Sequence, residues 1–236
     1  MMSQFANDGE TKITLSFGDP PHRMMLALVG IIAGIAALQF IVTPFNSFAM
    51  DYLALNSRDV LAKGRVWQMA TAIFLHGNLR HVMLNLLFLY IFGNPLAHAW
   101  RPREFIGYFF LCGIAGSVCF YLAAMSSPQN IPALGASAAV TGIMGGYALV
   151  HGERMIFFMG MIPMKGKYFV ALMFIVDIVL VLQFGATYLA GIAHLAGGIF
   201  GILLLKFVWL RDRGGRGKEA AKPTSRIGGL ELMDDD

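Results

Sequence analysis

A serine hydroxyl becomes a useful nucleophile when a neighbouring base takes its proton, so a serine and a histidine within hydrogen-bond reach are the minimum for acyl transfer. Ser137 and His194 form one such candidate pair, each in a strongly apolar stretch. The oxyanion that develops during acyl transfer also needs donors. His81 and Asn85, four residues apart in a third apolar stretch, offer them from side chains. The backbone at Ser137 offers more if a helix begins there, because the first amides of a helix have no internal acceptor and lie at its positive dipole end.

The elements that must position these groups follow from composition. Of 236 residues, 57% are apolar and only 14% charged, against about 25% charged in soluble domains. This is the signature of an all-α membrane protein. Six apolar segments fall at residues 24–43, 79–98, 104–125, 137–151, 167–185 and 188–209, which predicts a six-transmembrane-helix bundle over residues 24–210. Residues 1–23 form an N-terminal segment whose mixed charges (Asp8, Glu10, Lys12, Asp19, Arg23) do not suit a signal-peptide leader, so the first apolar run reads as a retained span. Residues 211–236, Gly-rich and charged, read as a disordered tail.

Lys and Arg mark alternate ends of the six segments: Lys12 and Arg23, Arg101 and Arg103, Arg154 to Lys167, and Arg211 to Lys218. The positive-inside rule then puts both termini in the cytoplasm. The net charge of +4 is a topology signal rather than a nucleic-acid footprint, since no basic stripe with interleaved aromatics occurs. Cys112 and Cys119, seven apart on one helix face, read as packing residues and have neither metal-ligand nor disulfide spacing.

The fourth segment carries the sharpest physical argument. Pro128 and Pro132 keep a helix from extending far upstream of Gly135-Ala136-Ser137, so it should begin near Ser137. From there to His151 is about 21 Å of helix, short of the roughly 30 Å hydrocarbon core. Ser137 is therefore expected below the outer surface, with residues 126–136 dipping inward as irregular backbone beside a water-filled cavity. Counted in the same way, Asn85 lies about 20 Å from His98, and His194 about 22 Å from Trp209. His81 is one turn nearer the outside. Taken singly, each group has a packing explanation, such as a serine bonding its own turn or a histidine tying two helices. Their common depth makes them one functional layer.

Small residues give helices four and six the means to approach. Gly197 and Gly201 follow His194 at four-residue spacing, and Ala138, Gly142 and Gly146 follow Ser137 likewise. Gly142, Gly197 and Gly201 are assigned to helix packing.

In Gly135-Ala136-Ser137, in His194 with Gly197 and Gly201, and in His81-xxx-Asn85, taken in this order over residues 24–210, the chain resembles the rhomboid family of intramembrane serine proteases. The resemblance implies a Ser-His dyad of Ser137 and His194 without an acid. It implies oxyanion support from His81, Asn85 and the Ser137 backbone. Substrates would be single-span or other membrane proteins, cut in their transmembrane helices near the outer leaflet. Serine chemistry of this kind calls for no metal and no cofactor, the lipid bilayer is the one other partner, and a bacterial inner (cell) membrane is the expected location. Three positions depart from the family pattern: Ala138 replaces the usual glycine, Thr141 an aromatic, and Trp67-Gln68 a Trp-Arg pair, with Arg65 close by.

Asp177 is the one acid well inside a span. Counted from Lys167 it lies some 7 Å deeper than His194, which favours a helix-helix hydrogen bond or proton sharing over a place in a triad. His76, bordering the second span, fits either the cavity or the interface, while His22, His98 and His151 read as interfacial. Two other readings use the same residues. One is a non-catalytic rhomboid-like protein that binds or escorts membrane clients. The other is a proton-linked transporter built on His81, Asp177 and His194, against which the lack of half-to-half repeats counts.

Overall fold

The computed structural model describes residues 2–7, 10–15, 20–125, 132–158, 162–184 and 188–209. The chain divides into two compact units, residues 1–202 and 203–236. Within the second, Leu205–Trp209 form a π-helical turn. The expected disordered tail, residues 211–236, lies outside the described residues.

Helices dominate, as they must where no water is present to satisfy the backbone. In chain order they are α1 (Arg23–Ile41), α2 (Thr43–Phe48), α3 (Ser57–Lys63), α4 (Gln68–Thr71), α5 (Leu79–Ala99), α6 (Pro102–Met125), α7 (Ser137–His151), α8 (Gly166–Phe184) and α9 (Leu189–Leu204). Two antiparallel hairpins accompany them. The first, β1 (Met2–Asn7) and β2 (Glu10–Leu15), forms within the N-terminal segment, and β3 (Met155–Phe158) with β4 (Ile162–Lys165) forms in the loop before α8. Neither hairpin was expected from the sequence.

Among the described residues, five helices are long and apolar enough to cross a membrane: α1, α5, α6, α8 and the last helix, Leu189–Phe207. The remaining segment of the expected six, α7, has 15 residues, fewer than the roughly 20 that a full crossing takes. Its surroundings explain why it can be short. Every residue from Ala138 to Tyr147 is buried, so this part of α7 is packed by protein on all sides, and only its last turn is exposed, at Leu149 and Val150.

The outer helices show the complementary pattern. On α1, Met25, Leu28, Ile32, Ala36 and Gln39 are buried at three- and four-residue spacing, while Leu26, Ile31 and Leu38 point outward. A helix apolar on both its buried and its outward face suits lipid. Its start is fixed by His22, whose Nδ1 accepts from the Met24 amide at 3.2 Å. Asn94 of α5 ties this end to the bundle, accepting from the His22 amide at 2.8 Å and donating to the Pro20 carbonyl at 3.1 Å.

Residues 42–78, between α1 and α5, are ordered by a polar lattice. Arg65 donates to the Asp51 carbonyl at 2.7 Å and to Asp59 at 2.8 Å, and its guanidinium lies 4.5 Å from the Tyr52 ring centre. Trp67 Nε1 donates to the Tyr52 carbonyl at 3.0 Å, and Gln68 Oε1 accepts from the Asn56 amide at 3.0 Å. Trp67-Gln68, a departure from the family pattern, is thus an integrated part of this loop, with Gln68 fully buried.

Candidate active site

The sequence leading into α7 is held by backbone. Leu55 and Ala133 exchange two hydrogen bonds of 2.9 Å, and the Gly135 amide donates to the Ala72 carbonyl at 2.9 Å. These ties pin the approach to Ser137 against the first loop. Gly135 has φ of 121°, a conformation that side chains strongly disfavour. It also lies under a ring, since a Cβ built there would be 2.6 Å from His81 Cε1.

Ser137 is the first residue of α7, and the Val140 amide donates to the Ala136 carbonyl at 2.9 Å as the helix begins. The helix starts where the proline argument put it. Ser137 Oγ lies 2.8 Å from His194 Nε2, so the hydroxyl donates to the imidazole when Nδ1 carries the ring proton. His194 is half-buried, its side chain 21% exposed.

Close approach of α6, α7 and α9 makes this contact possible. Any Cβ at Gly197 would overlap the Ala138 carbonyl, and one at Gly116 of α6 would overlap the Ala138 methyl. Ala138, in place of the family's glycine, is accommodated because residue 116 has no side chain. One turn on, a Cβ at Gly142 would be 3.1 Å from the Gly197 carbonyl and would overlap Cys112; one at Gly201 would be 2.9 Å from the Gly142 carbonyl. The Tyr108 hydroxyl closes this seam by donating to the Gly142 carbonyl at 2.9 Å. Thr141, in place of an aromatic, has its hydroxyl 2.9 Å from both the Ala138 and the His194 carbonyls, and donates between α7 and α9. Neither Tyr108 nor Thr141 was singled out from the sequence as a tie between these helices.

Asn85 is buried on α5, and its Nδ2 has no hydrogen-bond partner among the described residues. An unpaired buried donor is costly and calls for an explanation. His81 and His76 pack edge to face with ring centres 5.1 Å apart. His76 is fully buried, its amide and carbonyl both clamped by the Gln39 side chain at 3.0 Å. Burial, with a smaller contribution from His81, lowers its pKa from 6.5 to about 4. It is therefore a neutral core residue and not an interfacial cap.

Asp177 requires a correction. Its Oδ1 lies 3.3 Å from His194 Nδ1 and accepts from the Tyr188 hydroxyl at 3.1 Å. The expected helix-helix hydrogen bond is present, but the depth difference from His194 is not. Counting from the Lys167 end of α8 was the wrong ruler, because it compares two helices from different origins. Counted from the short link between them, Asp177 precedes Ala186 by nine residues and His194 follows it by eight. Residues equidistant from the turn of a helical hairpin face each other at one level.

The site and fold define a helical membrane bundle with a serine-histidine pair at the head of a short central helix. Residues 63–211 match the model of the Rhomboid domain, and the chain belongs to the rhomboid family. It is 26% identical over 204 residues to the RHOMBOID-like protein 12, mitochondrial, of Arabidopsis thaliana, covering 80% of this chain and 59% of that one. It is 28% identical over 165 residues to the Rhomboid-like protease 3 of Toxoplasma gondii, covering 63% and 61%. With the Rhomboid protease GluP of Bacillus subtilis it shares 26% identity over 112 residues, 47% of this chain and 21% of that one. The chain thus spans about three-fifths of the length of the first two relatives. It is a multi-pass integral membrane protein. Relatives occur in mitochondria as well as in a bacterium, so family membership does not carry the expectation of a bacterial inner membrane.

Proposed function

We propose that the chain is an intramembrane serine endopeptidase that cleaves transmembrane helices of other membrane proteins near the outer leaflet. The observation that carries this reading is the 2.8 Å contact between Ser137 Oγ and His194 Nε2 at the start of a buried helix. Ser137 attacks the scissile carbonyl while His194 takes the hydroxyl proton. The tetrahedral intermediate then collapses, and His194 passes that proton to the leaving amine. Water hydrolyses the resulting acyl-enzyme, with His194 as base again, and Ser137 regains its hydrogen.

Negative charge on the oxyanion is met by the first amides of α7 and by donors from α5, His81 and Asn85. The unpartnered Asn85 Nδ2 supports that role, since an empty donor in the resting enzyme is available to an acceptor that appears only during reaction. Residues 24–210 make up the catalytic domain in this reading, α7 counts as a span and brings the total to six, and both termini face the cytoplasm. Substrates are single-span or other membrane proteins presented from the lipid.

A serine-directed fluorophosphonate tests the nucleophile directly. The wild-type protein should be labelled and Ser137→Ala should not. Absence of labelling at Ser137 in folded wild-type protein would favour the client-binding alternative.

A further inference from the structure

An imidazole that accepts a proton at Nε2 has to hold its own proton at Nδ1, and the tautomer is set by what that second nitrogen faces. For His194 it faces a carboxylate, Asp177 Oδ1, at 3.3 Å. We infer that Asp177 is a positioning residue for His194: it accepts the Nδ1 hydrogen, fixes the ring's tautomer and orientation, and balances the positive charge that the ring gains when Ser137 is deprotonated. This inference rests on the protease reading and extends the expected dyad by an acid.

Three observations carry it. First, Asp177 is turned inward on a stretch of α8 whose adjacent residues face out. It is 8% exposed, whereas Ile175, Val176, Ile178 and Val179 are between 41% and 56% exposed. An acid in a membrane span is expensive and is kept where it has work to do. Second, the carboxylate is itself held, because the Tyr188 hydroxyl donates to the same Oδ1 at 3.1 Å from the residue preceding α9. Third, His194 is fixed at its backbone too, where Thr141 Oγ1 lies 2.9 Å from its carbonyl. Ring, backbone and carboxylate are each held from a different element.

The proton inventory is simple. The Ser137 proton moves to His194 Nε2 as the serine oxygen bonds to the substrate carbon, giving an imidazolium beside an ionised carboxylate. The proton remains on the imidazole and is not passed on to Asp177. Among the described residues, the groups around the His194–Asp177 pair are Ser137 from α7 and His81 of α5, which lies within electrostatic reach, on the histidine side, and Tyr188, ahead of α9, on the carboxylate side.

The test uses the full chain in detergent with ¹⁵N-labelled histidine. Imidazole nitrogen shifts and cleavage of a model transmembrane substrate are measured from about pH 5 to about pH 9. Wild type should show His194 as the Nδ1–H tautomer. Asp177→Asn, whose amide can present a donor to Nδ1, should lose that tautomer, lower kcat by about a hundredfold with little change in KM, and move the acid limb of the pH profile downward. Tyr188→Phe keeps the carboxylate and removes one donor to it, so the acid limb should move upward. An unchanged His194 tautomer in Asp177→Asn, or pH limbs unmoved in both variants, would overturn the inference. Failure of wild type to outpace Ser137→Ala would instead refute the protease reading, and the nitrogen shifts would still decide the role of Asp177.

Discussion

Gly197 of α9 meets the Ala138 carbonyl of α7 so closely that a Cβ at residue 197 would overlap it. The obstacle is backbone, which cannot rotate aside as a side chain can. Gly197→Ala should therefore push α9 away from α7, destabilise the protein by about 1–3 kcal/mol, and lengthen the Ser137–His194 contact enough to remove most activity. Gly107→Ala is the control, because a Cβ there meets nothing within 4 Å. Thermal unfolding and cleavage assays on the two variants should separate cleanly.

Gly135→Ala combines backbone strain with a displaced ring. At φ of 121° a side chain costs about 1–2 kcal/mol or more, and the new methyl would drive His81 from its place above residue 135. We expect kcat to fall at least tenfold while the labelled-probe reaction at Ser137 is slowed less, since the probe depends on fewer donors.

Asn85→Ala should separate stability from activity. The resting protein leaves Asn85 Nδ2 buried and unpaired, so removing it should leave the melting temperature unchanged or slightly higher. Transition-state support would be lost, and kcat should fall by about 10²- to 10³-fold. A variant that stays fully active would deny Asn85 any part in transition-state support, and a loss of stability with full activity would assign it to packing alone.

His76 gives the fold a pH dependence whose sign follows from its lowered pKa. The folded protein resists protonating this buried ring until about pH 4, whereas the unfolded chain takes up the proton near pH 6.5. Stability present above pH 6.5 should thus decline as pH falls toward 4, by up to about 3 kcal/mol from this residue. His76→Phe should flatten that part of the profile in unfolding measurements between those two values.

What the sequence disclosed and what it withheld divide along physical lines. The start of α7 was legible because two prolines limit a helix upstream and a short apolar run fixes its length. Rise per residue put Ser137 and His194 at one level, and the two side chains do meet. Asp177 was placed too deep by the same arithmetic, because rise measures distance along one helix and says nothing about where two helices meet. Thr141 and Tyr108 were not legible as interhelical ties, since both bond to carbonyls of other helices and only packing reveals which carbonyls lie within reach. The two hairpins escaped notice because both lie in segments judged by charge and position rather than by alternation.

The central claim is that Ser137 and His194 perform peptide hydrolysis together. The direct measurement is cleavage of a model transmembrane substrate by the purified full chain, compared with Ser137→Ala and His194→Ala at equal folded concentration. Wild type should release both fragments while each variant falls to background. Equal cleavage by all three proteins, or none by any of them while wild type remains folded, would contradict the account.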